Sequence, residues 1–477
     1  MSDHTPEVKE VPTLLAALWE LLQGARSAFG QERVFRRAVA LVFGELFALG
    51  RHTVTQLLRA LGEEDQDWSA WYRLLRKERW DEAKLAGRLV EETVQHVSVE
   101  EPYVVTLDAV RIYRTGKQVA GSGWWPSLRT AVFRRGLERA QRFVEGAWLT
   151  PVQEGYSRAV PLRWLPAVTA KSVASQETPC TEWEAGVKVL TWLRAQLDQC
   201  GRFAQRVLAI GDGAYDTNGI WPLLPKWVAL LVRCSKNRAL YALAEESAGT
   251  RQQGRHPQYG PRQPAPRSWS RKRKGWSEAG LLVRGRVRHL QYRVLGPYLV
   301  EGAADQPVFL LVIRGCTRLR GQRQRHYEPR YYLVSAQQQR EAWVLPWPAE
   351  TLLAWLWQRW ECEVAHREMK SSLGIGDKQC WSAHSALLAV QWGVWVYGLL
   401  VLAAYRVWGP SAGPRRSGRW YRHAARWSFA TLWQAFREQL WSYGELRPLY
   451  TACLNEWLKI ETWKTGLWNA VASAAKV

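Results

Sequence analysis

The stretch YVVTLDAVRIY, from Tyr103 to Tyr113, gives the clearest indication of the fold. Its β-branched and aromatic residues favour a strand that is buried on both faces of a sheet. Asp108 stands in the middle of this apolar run. Burying a carboxylate is costly unless it is paired, hydrogen-bonded or bound to a metal ion. The stretch therefore predicts a buried strand whose acid is paired, hydrogen-bonded or metal-bound.

A second strand with an acid at its end follows about a hundred residues later in the chain. The run RVLAIGDGAYD, from Arg206, ends in Asp212 at a turn flanked by glycines, and a helical stretch from Thr181 to Gln199 precedes it. Asp216 lies in the same turn and competes with Asp212 as a possible ligand; Asp212 is favoured because the strand ends there. Alternating strand and helix patterns predict an α/β core.

The segment RWECEVAHREMKSSLG, from Arg359 to Gly374, belongs to a helix that we predict from about Glu350 to Leu373, with Gly374 as its C-cap. Arg359, Glu363 and Lys370 are four and seven residues apart, so they share one face of that helix. A solvated stripe with one ordinary ion pair would explain Arg359 and Glu363. The alternative is that Glu363 lies between two cations because it binds a ligand.

The charge of the chain favours a polyanionic partner. Its 477 residues include 66 Lys plus Arg and 43 Asp plus Glu, a net charge of +23. Nucleic acid is the leading candidate and an anionic membrane surface the second, because both attract a basic protein. The seven cysteines form no CxxC pair, and their odd number favours a reducing compartment. The amino terminus does not have the pattern of a secretory signal.

Three further regions have distinct patterns. Residues 13–97 predict several short helices. RHTVTQLLRALG and DWSAWYRLLRKERW are consecutive ones, and they form either a helix-turn-helix or a plain bundle with a basic face.

Residues 251–293 carry twelve Lys or Arg and one acid. The runs LLVRGRVRHLQYRVL, PVFLLVIRG and RYYLVSA predict a β-rich insertion. SALLAVQWGVWVYGLLVLAAY, residues 385–405, predicts a buried core helix in preference to a membrane span, because Gln391 interrupts the run.

Two aspartates on strands and one glutamate on a helix, in a strongly basic chain, suggest two divalent metal ions held against a phosphodiester. The pattern R-W-x-x-E-x-x-x-R-x-x-K, from Arg359 to Lys370, resembles the YREK signature of bacterial insertion-sequence transposases of the DDE type. The resemblance implies a ribonuclease-H-like core in which Asp108, Asp212 and Glu363 are the catalytic metal ligands. It also implies DNA contacts for the cations of the helix, Arg359, Arg367 and Lys370. Separately, the excess of positive charge in the insertion favours DNA contacts for Arg271, Lys272, Arg273 and Lys274.

The sequence departs from the signature in two places. Leu356 stands where the signature has its tyrosine, and Gly213 follows the second aspartate where an arginine is common. The run from Arg271 to Lys274 is compatible with an ordinary solvated charge run, although the basic surroundings favour DNA.

The resemblance implies a cut-and-paste transposase that uses two Mg²⁺ ions, for which Mn²⁺ substitutes. Its partners would be double-stranded DNA with terminal inverted repeats and target DNA, and it would act as a homodimer in the bacterial cytoplasm without a membrane. The alternative is a catalytically silent DNA-binding regulator. We expect an α/β fold with a helical DNA-binding region at 1–100, a ribonuclease-H-like core at 101–240 and 345–405, a basic β-rich insertion at 241–344 and a helical region at 406–477.

Overall fold

The computed structural model describes residues 13–442, except 64, 66, 78, 128–132, 135, 173–177, 245–256, 319–323, 327, 379, 381 and 416–425. Residues 1–12, which lack the pattern of a secretory signal, and residues 443–477, where helix is predicted, lie outside the described residues. The chain divides into two compact units. The helical unit comprises residues 1–89, 114–120 and 366–477, and the sheet unit comprises residues 90–113 and 121–365.

The described helices have these bounds: α1 Thr13–Gly24, α2 Glu32–Phe47, α3 Val54–Leu61, α4 Ser69–Arg76, α5 Glu82–Val94, α6 Glu182–Gln199, α7 Pro266–Ser270, α8 Ala349–Gln358, α9 Trp360–Ser371, α10 Ala383–Trp408 and α11 Phe429–Ser442. The described strands have these bounds: β1 Tyr103–Tyr113, β2 Ser122–Pro126, β3 Leu137–Leu149, β4 Ala159–Pro166, β5 Val207–Gly211, β6 Val228–Arg233, β7 Ser277–Val283, β8 Arg286–Val300, β9 Ala303–Arg318, β10 Gln324–His326, β11 Arg330–Ser335, β12 Gln337–Gln339 and β13 Ala342–Val344.

One mixed sheet organises the sheet unit. Its strand order is β2-β3-β1-β5-β6-β11-β9-β8-β7, with β4 on β3 and β10 on β9. β1 is antiparallel to β3 but parallel to β5, which is parallel to β6. The predicted strand at Tyr103–Tyr113 is central, and five consecutive residues from its start are buried. The predicted α/β, ribonuclease-H-like fold with a β-rich insertion and flanking helices is confirmed in the described part of the chain.

The insertion extends the same sheet. β11, β9, β8 and β7 follow β6 in the strand order and pair antiparallel with their neighbours. The run LLVRGRVRHLQYRVL, predicted as one strand, is a hairpin, because Arg284 and Gly285 form its turn with φ of 53° and 69°. Positive φ at both turn residues matches the right-handed twist of the flanking strands. Leu353 of α8 packs in one cluster with Leu281 and Tyr292 of this hairpin.

The helical unit is built around α10. Within its most apolar 18-residue window, 94% of the helix is buried, and Gln391 is 8% exposed. It is the one described helix that is long and apolar enough to cross a bilayer by length and composition. Its burial against other helices of the unit confirms the prediction of a core helix.

The two consecutive helices predicted near the amino terminus correspond to α3 and α4, and a different kind of side chain caps the first turn of each. Thr53 caps α3 by accepting a hydrogen bond from the backbone of Gln56 at 3.2 Å. Asp67 accepts one from the backbone of Ser69 at 2.9 Å and so satisfies the start of α4. Residues 62–68 separate the two helices. This connection is longer than the three or four residues typical of a helix-turn-helix, which favours the plain bundle.

Candidate active site

Asp108 lies in β1, directly opposite Glu145 of β3. Directly opposed residues of an antiparallel pair point to the same face of the sheet. The Asp108 side chain is 17% exposed, and its Oδ1 accepts a hydrogen bond from the Ala109 backbone at 2.8 Å. The carboxylate therefore sits on an otherwise buried strand with a path to solvent.

Asp212 follows the last residue of β5. Leu107 pairs with Gly211 in the parallel register of β1 and β5, so Asp108 and Asp212 occupy neighbouring positions on adjacent strands. Asp212 Oδ1 accepts a hydrogen bond from the Ala214 backbone at 2.8 Å. The register brings the two predicted aspartates together at the carboxyl end of β5, where ligands bind in open α/β sheets.

The predicted helix from about Glu350 to Leu373 is two helices, α8 and α9, separated by Arg359 alone, whose φ of −50° and ψ of −32° are helical. The prediction of one helix is corrected at this single residue. The Arg359 guanidinium lies between two carboxylates, with Nη2 2.5 Å from Glu363 Oε1 and Nη1 3.6 Å from Asp108 Oδ2. Burial disfavours its charge, but Asp108 and Glu363 outweigh burial and raise the pKa of Arg359. The structure thus brings Asp108, Asp212, Glu363 and Arg359 to one place.

Asp216, the competing acid, has a different environment. Its side chain is 5% exposed and forms an ion pair with Arg238, with Oδ1 and Nε 3.1 Å apart. Burial raises the pKa of Asp216, and Arg238 opposes that rise. Its charge is already matched by a partly buried cation, Arg238, which favours Asp212 as the ligand.

Tyr215 is a residue that sequence reasoning missed. Its ring packs between Gly186 of α6 and Gly211 of β5, where an added Cβ would lie 2.7 Å and 2.9 Å from ring atoms. Burial and the nearby carboxylates of Asp108 and Asp212 raise the pKa of Tyr215 well above its usual value. The hydroxyl is therefore neutral and can donate a hydrogen bond. The glycines of GDGAY were the available signal, because small residues allow close packing.

A buried polar cluster underlies Asp108. Glu145 is fully buried and accepts hydrogen bonds from Trp164 Nε1 at 3.0 Å and Cys362 Sγ at 2.8 Å. The contact joins α9 to β3 at the residue that precedes Glu363 in the chain. Burial, Glu145 and Asp108 raise the pKa of the Cys362 thiol well above its usual value. Nothing in the local sequence pattern indicated this cluster, since Glu145 and Cys362 are far apart in the chain.

The remaining predicted cations are exposed. Arg367 and Lys370 are on the part of α9 that belongs to the helical unit. Arg271 to Lys274 are exposed between α7 and β7. β7 is the edge strand, six strand positions from β1, which corresponds to about 30 Å across the sheet.

The donor set fits a hard divalent metal ion. Carboxylate oxygens are the ligands that Mg²⁺ and Mn²⁺ prefer. The Cys362 sulfur lies within 4.8 Å of an Asp108 carboxylate oxygen. However, metal binding requires a thiolate, and the raised pKa keeps this thiol protonated. A positive group, the Arg359 guanidinium, already lies between two of the three acids. These residues therefore fit an oxygen-ligated cation better than a sulfur-ligated one.

The family model of the DDE superfamily endonucleases matches residues 26–293, more than half of the chain. The chain belongs to this family. It is therefore related to the transposase-type nucleases, which act on DNA and use divalent metal ions. The matched residues of this DDE endonuclease include Asp108 and Asp212 but end before Glu363, so the position of Glu363 beside Asp108 rests on the geometry of Arg359. No curated protein matches the chain.

Proposed function

We propose that this DDE endonuclease is a DNA transposase that cleaves the ends of a mobile element and joins the freed 3′-hydroxyls to target DNA. One observation carries the proposal: Arg359 links Asp108 to Glu363, while strand register places Asp212 beside Asp108. Three acids that are remote in sequence converge on one partly exposed place. Such a concentration of like charge is unfavourable without cations to neutralise it.

We infer that Asp108, Asp212 and Glu363 hold two Mg²⁺ ions and that Mn²⁺ substitutes for them. Bound metal would activate the attacking water or 3′-hydroxyl and stabilise the leaving oxygen. The chain's own contribution is to hold the three carboxylates in place. The Cys362–Glu145 hydrogen bond orients the start of α9, and the Ala214 backbone orients Asp212.

We assign the positioning of DNA phosphates to the cations near Glu363. Arg359 lies next to two of the acids, so its guanidinium can turn toward a phosphodiester when metal ions neutralise them. Arg367 and Lys370 are exposed on the same helix as Glu363. Phosphate contacts of this kind position the DNA without reading its sequence.

The insertion has features of a second DNA contact. Arg271, Lys272, Arg273 and Lys274 are exposed, and the guanidiniums of Arg293 and Arg314 lie 4.5 and 4.6 Å from the centroid of the Trp276 ring. Basic residues beside a partly exposed aromatic ring suit a nucleic-acid backbone.

We also propose that the chain belongs to the YREK group, although Leu356 replaces the tyrosine of that signature. The active form would be a homodimer that acts on terminal inverted repeats and target DNA in the bacterial cytoplasm. In this proposal residues 1–100 bind the ends of the element, and residues 101–240 and 345–405 carry out catalysis. The insertion, residues 241–344, makes further DNA contacts, and residues 406–477 form a helical region.

The test is cleavage of double-stranded element ends by the purified protein in Mg²⁺ or Mn²⁺. Asp108→Asn, Asp212→Asn and Glu363→Gln should each lower the rate at least about a hundredfold, because each removes charge that stabilises the transition state. Asp305→Asn is the matched control, since Asp305 is an exposed acid in β9 of the same unit. It should cleave like the unmodified protein.

Undiminished cleavage by any of the three variants would remove that residue from the site. End binding without metal-dependent cleavage by the unmodified protein would favour the alternative, a catalytically silent regulator. Asp216→Asn separates the two acids of the second motif. A loss of cleavage for Asp216→Asn, with Asp212→Asn active and both variants folded, would reverse the assignment of Asp212.

A further inference from the structure

The helical unit contains a small cavity whose lining is strongly basic. Its volume is about 250 Å³, small among ligand pockets. Arg33 and Arg37 of α2, Arg73 of α4 and Arg79 of the following segment all line it. Four arginines around one cavity repel one another, so the arrangement is costly unless an anion enters.

The acids near the cavity compensate this charge poorly. Asp67 is the one acid among the lining residues, and its side chain is 73% exposed with Oδ2 3.7 Å from Arg73 Nη2. Burial raises the pKa of Glu63, which interacts with Arg37. Cationic charge is therefore in excess among the described residues.

Arg37 has the least favourable position of the four. Its Nε is buried, and no described residue accepts a hydrogen bond from it. Burial, Arg33 and Arg73 lower the pKa of Arg37, and Asp67 opposes them only in part. An anion in the cavity would supply both the missing acceptor and the missing charge. Guanidinium groups bind phosphate well because their planar N–H groups match its oxygens.

We propose that this arginine pocket, formed by Arg33, Arg37, Arg73 and Arg79, binds a backbone phosphate of DNA. The choice of DNA rests on the proposed function and on two neighbouring side chains. Trp68 and Tyr72 are 57% and 37% exposed, and their ring centroids are 5.4 Å apart. Trp68 directly precedes α4, and Tyr72 is adjacent to Arg73 in that helix.

Tyr72 is held in place by a 2.7 Å hydrogen bond between its hydroxyl and Thr55 Oγ1. An exposed aromatic pair next to a phosphate pocket suits a nucleotide, whose sugar and base adjoin the phosphate. A free phosphate ion would use the arginines alone. The pocket thus fixes the position of DNA on the helical unit without reading its sequence.

The test compares Arg37→Gln and Arg73→Gln in the full-length protein with Arg36→Gln. Arg36 is the matched control, because it lies on α2 next to Arg37 but forms an ion pair with Glu32 at 3.1 Å. Fluorescence anisotropy with a labelled duplex, titrated across KCl concentrations, gives the affinity and its salt dependence. Each pocket variant should bind about tenfold more weakly, and its salt slope should fall by about one unit. The control should change neither.

Thermal unfolding checks that the variants are folded. Arg37→Gln should not lower the melting temperature, because it relieves repulsion among four like charges. Unchanged affinity and salt slope in both folded pocket variants would overturn the proposal. Stabilisation of the unmodified protein by pyrophosphate, with unchanged DNA binding by the variants, would also overturn it in favour of a free-phosphate site.

The phosphate pocket and the proposed transposase function can each fail without the other. If the unmodified protein binds duplex DNA through the pocket but never cleaves it, the pocket stands and the transposase proposal fails. If it cleaves DNA and the pocket variants bind normally, the transposase proposal stands and the pocket fails.

Discussion

The buried Glu45 of the helical unit and the three acids of the sheet unit differ in how completely their charge is compensated. In the helical unit Glu45 is fully buried, 2.7 Å from Lys378 Nζ and 2.7 Å from His52 Nδ1, and Trp392 Nε1 donates to it at 3.3 Å. Lys378 is itself 1% exposed. Every charge in this cluster is enclosed with a partner of opposite sign.

The acids of the sheet unit are arranged differently. Asp108 and Glu363 are 17% and 31% exposed, and one arginine, Arg359, lies between them. Asp212 adds a third carboxylate beside Asp108. An enclosed and balanced cluster stabilises a fold, whereas an accessible cluster with excess negative charge is suited to bind cations. The difference separates a structural acid from a candidate catalytic acid, and three substitutions test it.

The largest effect on stability is expected for Glu45→Gln. Removing one partner of a buried ion pair leaves the other charge uncompensated, so the free energy of unfolding should fall by about 3–5 kcal/mol at pH 7. Burial alone would raise the pKa of Glu45, but Lys378 and His52 lower it below the ordinary 4.5. Because the folded-state pKa is lowered, the contribution is complete above the unfolded-state pKa and is lost as pH falls through the folded-state value.

Urea denaturation at pH 7 and at about pH 3.5 measures this effect, the lower value lying below the ordinary pKa of glutamate. The difference between Glu45→Gln and the unmodified protein should shrink at the lower pH. Glu32→Gln is the control for pH 7, because Glu32 is 46% exposed and its pairs with arginine should contribute little. An equal loss for Glu45→Gln at both pH values would contradict the ion-pair explanation.

A smaller loss is expected for Arg359→Gln. It removes the cation between Asp108 and Glu363, and the free energy of unfolding should fall by about 1–3 kcal/mol. Mn²⁺ should restore part of that loss, so the metal-induced rise in melting temperature should exceed that of the unmodified protein. This readout requires no catalysis.

Arg284→Gln provides the comparison for Arg359→Gln. Arg284 pairs with Glu361 at 3.2 Å, in the same unit but outside the three predicted ligands. The rise in melting temperature that Mn²⁺ causes in Arg284→Gln should equal the rise in the unmodified protein. Equal shifts for Arg359→Gln and Arg284→Gln would show that Arg359 does not occupy the position of a metal ion.

The smallest effect is expected for Lys370→Ala. Lys370 is exposed on α9, and the loss of one phosphate contact should reduce the slope of log affinity for DNA against log salt by about 0.9. Titrations of a labelled duplex at several KCl concentrations measure the slope. Lys226→Ala, at another exposed lysine, should leave it unchanged. An identical slope for both variants would remove Lys370 from the DNA-binding residues.

Local patterns were sufficient for β1, β5 and the strand-rich insertion, but they did not predict β2, β3, β4 or β6. The apolar run at Tyr103–Tyr113 predicted β1, and the glycines around Asp212 predicted the end of β5. The boundary at Arg359 was not predicted, because α8 and α9 have continuous helical composition across it. The hairpin turn at Arg284 and Gly285 was hidden within an apolar and basic run that also suits one strand.

The sequence by itself determined the acids, their order and the elements that carry them, because strand and helix periodicities depend on neighbouring residues. Only the tertiary structure decided which groups meet. Strand register placed Asp212 beside Asp108, packing of α9 on the sheet set the Arg359 guanidinium between two carboxylates, and strand pairing enclosed Glu145 next to Asp108. These contacts join residues far apart in the chain, so they follow from packing and burial, which no local pattern encodes.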